Sequence, residues 1–300
     1  MKRFRNILVP LHFTKADDAV VRMVSHFAAW CSPSSITFCH YSPREEIPES
    51  LKESHPWLWE PIDEAALERL RKEVLGSGLF EDESILRFEV EEANPVSRSL
   101  ERVLADDCDL VVTGGERRDI AVRLARKAPC SVCVVPAGSA ENIRRAAVAV
   151  DFSHYSRYAC EIGRALSDAM GSEEPVLLHV SQLHHGHRLG LLSREELIAA
   201  NERHARLRLR DFCLGLDAPQ DPERVAVHHH ESVAYGILDY VSNNGIDCLV
   251  IGCRGRDALS ALLLGSVAEE ILTHANVPVL AVKTKGTGQG FLKTILGIDD

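Results

Sequence analysis

The sequence predicts an α/β fold of two tandem doubly wound domains, each a five-stranded, mainly parallel sheet with helices on both faces. Three observations predict it. Short Val/Ile/Leu runs alternate with stretches of helical spacing, the pattern of strands covered on both faces by crossover helices. The pattern then occurs twice: Asn6–Thr14 aligns with Arg145–Ser153 and Ile36–His40 with Pro175–His179, both at an offset of 139 residues. Finally, Asp109–Gly114 matches Asp247–Gly252 at an offset of 138. A repeat this long is a duplicated domain, not a solenoid unit.

Taken in order, the first half should have strands near 6–11, 36–41, 85–90, 109–113 and 131–135, and the second near 146–151, 175–180, 224–229, 247–251 and 278–282. Helical spacing covers 17–30, 62–76, 95–106, 156–170, 193–214, 232–243 and 265–274. Residues 42–61 and 184–192 are long irregular connections. Pro136–Asn142, small and polar, reads as a linker. The expected domains are therefore 1–136 and 143–283, with a tail at 284–300. In a doubly wound sheet, ligands bind beyond the carboxyl ends of the strands, which puts Asp151, Val180 and Gly252 around one crevice.

Composition narrows the function. The chain has 300 residues, 45% of them apolar, and a formal net charge of −10. Nucleic-acid binding needs clustered Lys and Arg, and no such run occurs. No apolar run reaches the length of a membrane span, and the first residues lead straight into a strand, so the cytoplasm is the expected compartment. The nine cysteines show no regular framework and mostly sit in apolar runs, as reduced core residues do. Cys130 and Cys133 have the C-x-x-C spacing but lie in a strand-like run.

The most informative stretch follows the apolar run Cys248–Ile251. It reads Gly252-Cys-Arg-Gly255, then nine residues, then Gly265-Ser266, where a helix begins. Glycines permit φ > 0 and close approach of backbone to a ligand. Unpaired N–H groups and the dipole at a helix start favour an anion. Ser266 adds a hydroxyl donor and Arg254 a cation. Physically this is a phosphate cradle, but neither a Walker loop nor a G-x-G-x-x-G turn.

The spacing G-x2-G-x9-G-S, with Asp247–Gly252 before it, Leu263–Val267 within it and Val277–Val282 after it, resembles the ATP-binding signature of the universal stress protein family. The resemblance implies that ATP or another adenine nucleotide, with or without magnesium, binds the second domain. By the same resemblance the contacting positions are Asp151, Val180, Ile251, Gly252, Arg254, Gly255, Gly265, Ser266 and Val267. Val180 would meet the adenine through its backbone, and Asp151 would accept from the adenine amino group or a ribose. The alternative for Asp151 is a strand-end turn or helix cap, although Ser153 is better placed to cap the next helix. The first half departs from the signature. His12 replaces the aspartate, Arg117 stands where Gly255 stands, and the Gly-Ser pair has no counterpart. It reads as a degenerate domain.

Single-domain members of the family dimerise through the final strand. The resemblance thus implies an intrachain pseudo-dimer through Ser131–Val135 and Val279–Val282, and the tail at Phe291 and Leu292 extends the expectation to a homodimer. The implied role is regulatory, in stress response. Hydrolysis needs a positioned water and extra charge stabilisation, for which no residue stands out, so any ATPase activity should be slow. Two other readings stay open. One is a metal-assisted hydrolase using the histidine clusters, the strand-end pair His228 and His230 joined by Glu231 or by a loop histidine from His184, His185 and His187. The other is an interaction scaffold without nucleotide. His40 and His179 are equivalent in the repeat and suit a shared structural role.

Overall fold

A computed structural model describes residues 4–43, 63–183, 193–216, 224–253 and 264–286. Internal contacts divide the chain into two units, Met1–Gly138 with the stretch from Thr284, and Ser139–Lys283.

In the first unit the elements run β1 (Asn6–Pro10), α1 (Asp17–Cys31), β2 (Ser35–Ser42), α2 (Asp63–Leu75), β3 (Leu86–Glu92), α3 (Pro95–Ala105), β4 (Leu110–Gly114), α4 (Arg118–Lys127) and β5 (Ser131–Val135). Its strands lie in the order β3-β2-β1-β4-β5, all paired parallel. The second unit repeats this with β6 (Ala146–Ala149), α5 (His154–Met170), β7 (Val176–Ser181), α6 (Arg194–Leu214), β8 (Val225–His229), α7 (Val233–Asn243), β9 (Cys248–Gly252), α8 (Ser266–His274) and β10 (Val279–Val282). Its order is β8-β7-β6-β9-β10, again parallel throughout.

The central strands are apolar because helices cover both faces. All five residues of β4 are buried, as are the first four of β9. One helix, α4, has no assigned range in the sequence reading. Its apolar face is small, Ile120, Ala121, Leu124 and Ala125, inside an otherwise charged decapeptide. Helix starts follow their side chains. Ser153 accepts the Ser156 N–H at the start of α5. Ser193 and Glu196 form a reciprocal capping box at α6, and Asn94 caps α3 ahead of Pro95.

The duplication extends to polar contacts at the strand entries. Asp109 Oδ2 accepts the Arg5 and Asn6 N–H groups at 2.9 and 3.0 Å, fixing the entry to β1. Asp247 Oδ2 does the same for Arg144 and Arg145 before β6, at 2.9 and 3.0 Å. Among the described residues, no helix is long and apolar enough to cross a membrane.

Candidate functional site

In the second unit the strand order reverses between β6 and β9. β7 and β8 lie to one side and β10 to the other. Such a switch point leaves a crevice at the carboxyl ends of the strands. A cavity of about 680 Å³ occupies it, within the range of small-molecule sites. Asp151 after β6, Val180 in β7, Ile251 and Gly252 in β9, and Gly265, Ser266 and Val267 at the start of α8 all line it. Arg254 and Gly255 lie outside the described residues.

The glycines do not act as their residue type suggests. Neither Gly252 nor Gly265 has positive φ; Gly265 sits at φ −65°, ψ 147°, a conformation open to any residue. Gly252 is needed for packing. A Cβ there would come within 3.0 Å of Tyr155 Cβ and 3.2 Å of its carbonyl carbon on α5. Gly114 plays the same part in the first unit, 3.1 Å from Ala16 Cβ. Gly265 closes the connection from β9, its N–H donating to the Cys253 carbonyl at 2.9 Å. It also begins α8 without any side-chain cap. The other three helices of this unit carry serine caps, Ser153, Ser193 and Ser232. Among the described residues no side chain caps α8, and its first turn, Ser266 to Ala268, lines the cavity at the positive end of the helix dipole.

Asp151 is held by its own loop. Its Oδ1 accepts the Ser153 N–H at 2.9 Å and the Ser156 hydroxyl, and Ser156 Oγ accepts the Asp151 N–H at 3.0 Å. The first unit exchanges these roles. Its carboxylate is on the helix: Asp17 accepts the N–H groups of His12 and Thr14 and the Thr14 hydroxyl, at 3.0–3.2 Å. Burial raises the Asp17 pKa against those hydrogen bonds. His12 stands in place of Asp151, with Nε2 3.4 Å from Thr113 Oγ1. Burial, then the charges of Arg117 and His40, lower its pKa to about 4, so it is neutral at pH 7. Here α4 begins only three residues after β4, at 115–117, so the connection spanning 253–265 in the second unit has no counterpart.

A third feature is shared by both units and escaped the sequence reading. Phe152 takes φ 67° and its ring packs on His179 at 4.5 Å, with the Arg208 guanidinium over the ring at 4.3 Å. Phe13 takes φ 55°, stacks on His40 at 4.1 Å and lies under Arg69 at 4.1 Å. Every member is displaced by 139 residues, so the offset that aligns His40 with His179 also aligns the arginines. Each histidine donates Nδ1–H to a strand-end carbonyl, His40 to Leu11 at 2.9 Å and His179 to Val150 at 2.7 Å. His40 thus has the structural role its position suggested, and burial lowers its pKa. His179, Gln182, Asn201, His204 and Arg208 also line the cavity, none of them among the expected contacts.

The strand-end histidines are engaged within the fold. His228 Nε2 lies 2.9 Å from Asp239 Oδ2, and His230 Nδ1 accepts the Ser232 N–H at 2.9 Å. Their rings stack with centroids 6.5 Å apart, on the same side of the strand end. Among the described residues, no group of three His, Cys, Asp or Glu is placed to hold a metal. His184, His185 and His187 lie outside them. Burial raises the thiol of Cys248 to about 12 and that of Cys160 likewise to about 12, as suits inert core cysteines.

Two doubly wound units, the second with a cavity at its switch point, define a duplicated α/β protein. The sequence profile of the Universal stress protein family matches residues 3–136 and again 142–283, and the chain belongs to that family. A universal stress protein of Methanocaldococcus jannaschii is 35% identical over 63 residues, which is 21% of this chain and 36% of that protein. The alignment thus spans about a third of the length of that curated relative. A Pseudomonas aeruginosa protein of unknown function shares the fold over 99% of both chains, with TM-score 0.66 and 16% identity. A universal stress protein from Archaeoglobus fulgidus does so over 93% of this chain and 96% of its own, with TM-score 0.60 and 17% identity. Shorter universal stress proteins have been solved with cAMP and with dAMP, at TM-scores of 0.33 and 0.31.

Proposed function

We propose that the second unit binds one adenine nucleotide, ATP or a relative, with or without magnesium, and that the chain uses it as a regulatory ligand in cytoplasmic stress response. The observation that carries this is the uncapped start of α8 opening on the cavity at the switch point. Ser266 and Val267 offer backbone and hydroxyl donors to phosphates, with Gly265 leaving room for their approach, joined by Arg254 and Gly255 from the family-like loop. Asp151 offers a carboxylate to the ribose or adenine amino group. Val180 and Ile251 supply apolar walls for the base. Turnover is at most slow, because hydrolysis needs a positioned water and added charge stabilisation, and no residue stands out for positioning that water.

The first unit is proposed as a degenerate partner. It has His12 for Asp151 and α4 starting where the cradle would be. Its final strand β5 and the final strand β10 are apolar and end their own sheets, and edges of this kind pair. We take them as the seam of an intrachain pseudo-dimer. Val134→Glu or Leu280→Glu should then expose apolar surface in both units at once. A change confined to one unit would reject the seam.

The direct test is mass spectrometry of the supernatant after denaturing purified chain, followed by calorimetric titration with ATP. An adenine nucleotide and one site per chain are expected. Two sites per chain, or none at millimolar ATP, would overturn the reading.

A further inference from the structure

The cavity has a second charged wall, on α6. Asn201, His204 and Arg208 line it from successive turns of that helix. Asn201 is occupied by the fold, its Nδ2 donating to the Gln182 carbonyl at 2.9 Å. The Arg208 guanidinium lies over the Phe152 ring at 4.3 Å, and among the described residues neither it nor His204 has a carboxylate partner.

The first unit shows that this is not a requirement of the stack. Arg69 occupies the same repeat position and the same place over Phe13, but pairs with Glu73 at 2.9 Å. The residue at the repeat position of Glu73 is Phe212, whose ring packs on Phe152 at 5.8 Å and under Arg157 at 4.9 Å. The position of His204 is filled by Ala65 in the first unit. One copy of the stack is therefore neutralised, in the unit without the cradle. The other stands exposed at the cavity wall with no carboxylate partner among the described residues and a histidine added one turn away. The stack itself requires neither difference.

We infer that Arg208, with His204, forms a second anion subsite, and that the favoured ligand is a nucleotide carrying a phosphate monoester on its ribose as well as at the 5′ position. This rests on the nucleotide reading above and goes beyond it. The two anion positions stand over neighbouring strands, α8 beginning beyond β9 and the Arg208 stack standing over β6 and β7. Both line the same cavity of about 680 Å³, room for one nucleotide. A guanidinium placed over an aromatic ring keeps its fork of donors available for phosphate oxygens.

Calorimetric titration of the full chain with adenosine 5′-monophosphate, adenosine 3′,5′-bisphosphate and adenosine 2′,5′-bisphosphate tests this. The wild-type chain should bind one bisphosphate at least ~10-fold more tightly than the monophosphate. Arg208→Gln should bring that ratio toward one, Arg208→Lys should keep part of it, and Arg69→Gln should leave it unchanged. Equal affinities in the wild-type chain, or an Arg208→Gln loss equal for all three ligands, would overturn the subsite while leaving the nucleotide reading standing. Failure of all three to bind at millimolar concentration would remove both. The wild-type ratio decides the matter even if a variant does not fold.

Discussion

Gly252 and Tyr155 are in such close contact that a single added carbon on Gly252 would sit 3.0 Å from the Tyr155 Cβ. The last residue of β9 is thereby pressed against the first turn of α5, and Asp151 is held in the loop between β6 and that helix. The glycine serves the approach of helix to strand, which in turn brings Asp151 and the start of α8 to the same cavity.

Gly252→Ala should therefore destabilise the second unit by about 1–3 kcal/mol, the usual cost of overpacking. Gly114→Ala in the first unit should cost less, because its three nearest neighbours are side-chain atoms, Ala16 Cβ at 3.1 Å first, whereas Gly252 also meets the Tyr155 carbonyl carbon at 3.2 Å. Urea denaturation of both variants measures the difference. Equal midpoints for Gly252→Ala and wild type would show that α5 can move away freely.

Asp151 has a structural task that any ligand role must share. Asp151→Ala removes the acceptor for the Ser153 N–H and the Ser156 hydroxyl, and should cost about 1 kcal/mol of stability. It should also weaken adenine nucleotides more than inorganic triphosphate, which has no ribose or base to meet the carboxylate. Asp151→Asn keeps an amide oxygen for the loop contacts and should recover stability without recovering full nucleotide affinity. Equal weakening of nucleotide and triphosphate would make the carboxylate a loop anchor alone.

His12 makes the first unit sensitive to acid. Its folded pKa of about 4 lies below the ordinary 6.5, with burial the main cause. The unfolded chain therefore binds the proton more readily. The contribution of neutral His12 is fully present above pH 6.5 and is lost progressively as pH falls toward 4. The full span amounts to about 3 kcal/mol. His12→Gln should flatten the stability curve between pH 6.5 and 4, measured by urea denaturation at a series of pH values. An unchanged slope would mean that other groups carry the acid sensitivity.

Much of this architecture is legible in the sequence, because strands buried on both faces are apolar at nearly every position. Runs such as Leu110–Val112 and Cys248–Ile251 admit few other readings. The helix Arg118–Lys127 is less visible, since it is short and charged, and Arg117 before it makes no side-chain cap. The left-handed Phe13 and Phe152 are not legible from residue type. Phenylalanine at positive φ is strained by roughly 1–2 kcal/mol, and here the ring contacts with a histidine and an arginine offset it. Those partners come from β2 and α2, or β7 and α6, far along the chain. Only the 139-residue offset, extended from His40 and His179 to Arg69 and Arg208, carries a signal for them. The glycine motif announces a backbone-lined site, but by a different physical route. Gly252 is there for helix packing and Gly265 for an open helix start, neither for a left-handed turn.

That distinction makes Gly265 the sharpest probe of the cradle. At φ −65°, ψ 147° the backbone tolerates a β-branched residue without strain. The N–H of residue 265 can still donate to the Cys253 carbonyl, which closes the connection from β9. Gly265→Val should therefore leave the unfolding midpoint near that of the wild-type chain. It nonetheless places a branched side chain beside the first N–H groups of α8, where a phosphate must approach closely. Nucleotide affinity should fall at least tenfold, about 1.4 kcal/mol, in calorimetric titration with ATP. Ser266→Ala, which removes one hydroxyl and leaves the backbone donors, should fall by a smaller factor. Wild-type affinity in Gly265→Val would place the phosphates elsewhere in the cavity. A large loss of stability together with affinity would instead make Gly265 a folding residue, as Gly252 is.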